Sequence, residues 1–161
     1  MSLPTTATVS VEIAAPADDI YELVADVTNM GRWSPECHRC EWLDEPGRPG
    51  SRFRGHNKRG LARWSTTAEV QVAQPGVEFT FVTLHGDKHT TRWSYIFEDR
   101  GDRATLTEGF ESVYTPPLIA FAEHTVLRHR QRQLEDGMAR TLEAIKRAAE
   151  QPGTPLSHHR P

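Results

Sequence analysis

Between Glu36 and Ser112 the chain alternates apolar and polar residues through six consecutive segments, each ended by a short turn sequence. This pattern limits the fold more than any other feature. Short turns join antiparallel neighbours, because a parallel crossover needs a dozen or more residues. "ECHRCEWL" ends in "DEPGRPG", "SRFRGHNK" in "RG", "ARWSTTAEVQVA" in "QPG" and "VEFTFVTLH" in "GDK". "TTRWSYIFE" is separated by "DRGDR" from "ATLTEGFESV". Such punctuation predicts six strands in an antiparallel meander.

A further strand precedes them. "TATVSVEIAAP" places Val9, Val11 and Ile13 on one face. Pro16 stops that strand and suits the first turn of a helix over "ADDIYELVAD", whose early acidic residues complement the helix dipole. Ile20, Leu23, Val24 and Val27 form its apolar stripe, and Gly31 and Pro35 bound a second short helix around Val27 to Arg32. From Pro117 the period changes. Leu127, Leu134, Met138, Leu142, Ile145 and Ala149 recur on one face of a helix of about 30 residues, or ~45 Å. The first six residues and the polar, Pro-rich "QPGTPLSHHRP" read as flexible tails, leaving 7–150 as one folded domain. A chain of 161 residues is long enough to bury a core without staples.

The expected fold class is α+β: a seven-stranded antiparallel sheet wrapped around the long C-terminal helix, with two short helices after strand 1. This is a helix-grip. A strongly twisted sheet has more concave surface than one helix covers, so the remainder is expected to form a cavity.

The segment "VSVEIAAPADDIYELVADVTNMGRWSP", followed by the layout above, resembles the polyketide cyclase/dehydrase and lipid-transport family of the START-like (SRPBCC) superfamily. "FRGHNKRG…RWSTTAEV", "QPGVEFTF" and "RWSYIFED" are similar to segments of its small bacterial members. The resemblance spans about Ala7 to Glu150. It implies the helix-grip fold and an internal cavity for a hydrophobic molecule such as a lipid or an aromatic polyketide. It is weak for function, because the superfold carries binding, transport and catalysis alike.

Alternation assigns Trp93, Tyr95 and Phe97 to one face, and Phe53, Trp64, Phe79 and Phe81 to the same side of their strands. Such rings suit either a core or a cavity wall, each bringing roughly 150–250 Å² of contact. Trp33, Phe110 and Phe121 are counted with that wall. Asn57 shares the phase of Phe53, and Glu108 that of Leu106 and Phe110. On the long helix His124 lies near the apolar stripe and Arg128 at its edge. Asn57, Glu108, His124 and Arg128 are therefore expected to orient the polar end of a ligand. The competing reading of Glu108 is a solvated carboxylate after a one-residue slip of the strand. Glu108 and His124 are the weak candidates for acid–base catalysis, should the cavity host a cyclase or dehydrase reaction. A third reading is an interaction module whose cavity is filled by its own rings.

The remaining signals are negative. "CHRC" is a C-x-x-C, but within a strand the odd separation is expected to point Cys37 and Cys40 to opposite faces, and no second pair supplies a zinc site. His85 and His89 flank a turn rather than share a helix face. "RHRQR" from Arg128 reads as a solvated helix face. No metal or cofactor motif is present. A net charge of −3 argues against nucleic acid as a partner. No apolar run approaches the ~18 residues of a membrane span, and the N-terminus lacks the pattern of a secretory signal. The expectation is a cytoplasmic protein, monomeric or homodimeric, whose partner is a small hydrophobic molecule.

Overall fold

The computed structural model describes residues 6–114 and 127–151, with side chains from 131 onward in the second stretch. Strand β1 (Thr6–Ile13) is followed by helix α1 (Ala17–Ala25), a single 3-10 turn (Val27–Asn29) and helix α2 (Met30–Trp33). Strands β2 (Cys37–Trp42), β3 (Arg52–Arg59), β4 (Ala62–Gln74), β5 (Glu78–His85), β6 (Lys88–Asp99) and β7 (Ala104–Ser112) come next, and then helix α3 (Leu127–Glu150). All pairings are antiparallel, in the order β1-β7-β6-β5-β4-β3-β2. The fold is the helix-grip.

β1 and β2 are the two edges of this sheet, so the connection between them must cross its open, concave side. That is why two helices stand between the first two strands. α1 begins after Pro16 with Asp18 and Asp19 in its first turn, and buries Ile20, Tyr21, Leu23 and Val24. Tyr21 meets Phe97 and Phe79 edge-to-face at 5.5 and 6.3 Å between centroids, which closes one end of the interior. α3 lies over β1 and its neighbours, with Met138, Leu142 and Ile145 buried. Its last turn is tied down. Glu150 accepts from the Ala14 amide at 2.9 Å, and Lys146 donates to the Glu12 carbonyl at 2.8 Å. Toward its start, Gln133 accepts from Arg59 on β3. The helix thus spans the sheet from one edge toward the other. The first third of the helix expected from sequence, including Phe121 and His124, lies outside the described residues. Arg128 is described only by its helical backbone.

β-Bulges bend the sheet at three places: at His38 in β2, at Gln71 in β4, and at Thr90 in β6 opposite Thr83/Leu84. Each corrects a strict alternation. In β4, Val70 pairs with inward Phe81 but Val72 pairs with Thr80, so Val72 leaves the inner face and Ala73, opposite Phe79, takes its place. Val77 precedes β5 and is exposed, although the alternation of "VEFTFVTLH" puts it in phase with Phe79 and Phe81. The β2 bulge has the largest consequence. It absorbs the odd residue between Cys37 and Cys40, so both cysteines are buried on the same side and their sulfurs lie 3.3 Å apart. The expected opposition of the two thiols is therefore wrong.

α2 approaches that bulge closely. A Cβ on Gly31 would stand 2.7 Å from the His38 carbonyl carbon and overlap its oxygen, both immovable backbone atoms. Gly31→Ala is expected to cost about 1–3 kcal/mol through forced backbone displacement. A drop in the urea midpoint with an unchanged slope would show it, and a midpoint equal to the parent's would contradict the close approach.

Candidate functional site

The inner face has a closed half and a more open half. On the closed half, Phe53, Phe79, Phe81, Phe97 and Leu106 are buried. Rings touch in sequence from Trp42 to Phe53 (5.6 Å), Phe81 (5.0 Å) and Phe79 (6.1 Å). Phe79 is wholly enclosed by its neighbours, with zero exposure. Phe79 is therefore core rather than cavity wall. Trp33 is likewise buried in the packed cluster. On the more open half, Trp93, Phe110 and Asn57 are half-buried, while Trp64 is 42% exposed. Trp93 and Phe110 meet edge-to-face at 5.1 Å. Asn57, paired with Trp64 across the β3–β4 hairpin, donates to Thr66 at 3.2 Å. Asn57 and Trp64 also line a cleft of about 250 Å³ at the rim, beside His38, His56, Arg63 and Ser65.

Glu108 sits at the boundary of these halves. β6 and β7 are paired so that Tyr95 is directly opposite Glu108, with Val9 of β1 on the other side. Glu108 is 3% exposed. Tyr95 donates its hydroxyl to Oε1 at 3.0 Å, while Oε2 is buried without a partner among the described residues. Burial raises the Glu108 pKa to about 8, against a smaller downward pull from the Tyr95 hydrogen bond. The same burial, and the carboxyl beside it, push the Tyr95 hydroxyl well above its ordinary value. At neutral pH the pair is thus a neutral acid beside a neutral phenol. With its hydrogen on Oε2, protonated Glu108 has no acceptor for it among the described residues, and a buried polar group left unpaired costs about 1–3 kcal/mol.

The acid–base partner expected for Glu108 was His124, which lies outside the described residues. Tyr95 is the partner that sequence reasoning missed as a polar group, having counted it as a ring. Its signal was available. Closing the β6–β7 hairpin on the four residues Arg100–Arg103, with Gly101 at φ +85°, pairs Asp99 with Ala104 and, by counting back, Tyr95 with Glu108. No group of three His, Cys, Asp or Glu side chains suited to a metal occurs among the described residues.

The sequence signature described as polyketide cyclase/dehydrase and lipid transport matches residues 4–150. The chain belongs to that family. It is 32% identical to a polyketide-cyclase-like protein of Corynebacterium glutamicum, covering 99% of this chain and 100% of that one with a TM-score of 0.65. A START superfamily protein of Mycobacterium smegmatis shares the fold at 16% identity and a TM-score of 0.67, over 91% of this chain and 97% of that one. The di-domain ARO/CYC of the steffimycin biosynthetic pathway does so at 14% identity and a TM-score of 0.69, over 91% of this chain and 51% of that longer one. No curated protein sequence matches the chain. Among the described residues, no helix is long and apolar enough to cross a membrane.

Family membership fixes the scaffold, whereas Glu108 sets a measurable property of this chain. Its folded pKa lies above its unfolded one, so the folded state binds the extra proton. The resulting stability is fully present below about pH 4.5 and is lost as pH rises through about 8. Glu108→Gln removes this dependence. Between pH 5 and pH 9 the unfolding free energy of the parent should fall by a few kcal/mol more than that of the variant, followed by urea titration at each pH. Parallel profiles would place a charged carboxylate in the folded state. Tyr95→Phe removes the one donor to Oε1 and should destabilise by about 1–3 kcal/mol at neutral pH.

Proposed function

We propose that residues 7–150 act as one unit that binds a small hydrophobic molecule carrying an oxygen function, held between the inner face of the sheet and α3. The supporting observation is the buried Glu108 carboxyl with Oε2 unpartnered in an otherwise apolar interior. A ligand carbonyl or hydroxyl would accept its hydrogen. Trp93, Phe110 and Trp64 offer ring surface to the apolar body, and Asn57 a second polar contact at the rim. Apolar burial at ~25 cal/mol/Å² would supply most of the affinity, with the carboxyl fixing orientation. Lipids and aromatic polyketides both fit this description. The cytoplasm is the compartment proposed for this binding.

Catalysis of the cyclase or dehydrase kind is the second reading. The pKa of about 8 favours it, since an acid poised near neutral pH can both give and take a proton. The fold likeness to an ARO/CYC adds support at the level of scaffold alone.

Tryptophan fluorescence tests the binding reading. Flat hydrophobic compounds differing only in a hydroxyl or carbonyl should quench or shift the emission of the parent. Glu108→Leu should weaken the oxygen-bearing compound about tenfold, equivalent to one lost hydrogen bond. It should leave the matching hydrocarbon unchanged or tighter. A flat response of the parent across the panel would count against a ligand, and equal weakening of both compounds would remove Glu108 from recognition.

A further inference from the structure

Cys37, Cys40 and Met30 bring three sulfurs together in sequence on the inner side of β2. The bulge at Cys37/Arg39 turns both thiols inward, with their sulfurs 3.3 Å apart. The Met30 sulfur lies 3.8 Å from that of Cys40, delivered by α2 through the close approach of Gly31 to His38. Both cysteines are buried, at 6% and 4% exposure, whereas His38 and Arg39 between them are exposed. Gly55, opposite Cys40 in β3, carries no side chain toward the pair; a Cβ there would stand 3.5 Å from each sulfur. Two buried thiols and a half-buried thioether thus lie side by side, with no side chain from Gly55 against them.

Three convergent soft sulfurs without an imidazole or carboxylate define a narrow class of ligand. Thiolate and thioether donors select soft cations, copper(I) foremost among physiological ones. Zinc requires four donors in a structural site, and no grouping of three His, Cys, Asp or Glu is found among the described residues. Metal–sulfur bonds of about 2.3 Å place the donors of a trigonal site about 4 Å apart. The Cys37–Cys40 and Cys40–Met30 sulfur pairs stand 3.3 and 3.8 Å apart, so each needs to widen by less than about 1 Å to meet that spacing.

We propose that Met30, Cys37 and Cys40 form a three-sulfur site for copper(I), on the β2 side of the same inner face that carries Asn57 and Tyr95. Binding displaces thiol protons to solvent and leaves the metal's oxidation state unchanged, so no oxidant or reductant takes part.

The test uses the full chain, reduced and handled without oxygen, with copper(I) titrated against a competing chelator. One copper(I) per chain should be withheld from the chelator. X-ray absorption of the complex should show a first shell of three sulfurs. The Cys37→Ser/Cys40→Ser double variant should surrender all of its copper. Met30→Leu, nearly equal in volume, should drop the shell from three sulfurs to two. That variant decides the matter if the double variant does not fold by circular dichroism. The proposal is overturned by a parent that yields all its copper, by a double variant that folds and still holds one equivalent, by nitrogen in the first shell, or by a Met30→Leu spectrum identical to the parent's.

Discussion

Everything distinctive about this interior turns on one carboxyl group placed where a charge is costly. Glu108 is almost wholly buried, takes one hydrogen bond from Tyr95, and meets no cation among the described residues. A carboxylate in such a place must gain a partner or lose its charge. The phenol supplies a single donor, which is too little to hold the ion, and burial raises the pKa to about 8, so the group is mostly protonated at neutral pH. A neutral acid both donates and accepts, so it can face an apolar ligand that carries one oxygen without the desolvation cost of an ion.

The sheet makes this placement possible. Bulges in β2, β4 and β6 curl the strands until a concave face forms, while the edge-to-edge crossing by α1 and α2 and the lid of α3 cover parts of it. Tyr21 against Phe97 and Phe79 closes one end. Trp93, Phe110, Asn57 and Trp64 remain accessible toward the other. The transition between packed core and accessible wall falls near Glu108, so its carboxyl is dry yet close to the surface a ligand would meet. The same bulging that curls β2 also gathers the two thiols beside Met30.

Much of the architecture could be read directly from residue order. Alternation and short turns determine the seven strands and their antiparallel pairing, and the heptad-like recurrence of Leu134, Met138, Leu142 and Ile145 determines the face α3 buries. The inward phase of Phe53, Trp93, Tyr95, Phe97 and Glu108 follows from the same periodicity. What periodicity cannot show is a place where it breaks. The bulge at Cys37/Arg39 inverted the expected relation of the cysteines, and that at Val70/Val72 moved Val72 off the inner face. Nor does phase separate a ring locked in core, such as Phe79, from one at an accessible wall, such as Trp93, because that depends on what α1 and α3 cover. The Tyr95–Glu108 contact needed one further step, counting register back from the hairpin turn.

The protonation state of Glu108 can be observed directly by following its side-chain carboxyl carbon by NMR in a glutamate-labelled sample, assigned by its disappearance in a Glu108 variant. The account predicts a midpoint near 8, with the shift of a protonated acid below neutral pH. A midpoint near the ordinary 4.5 would mean a carboxylate in the folded protein, and the neutral donor on which the binding site depends would not exist.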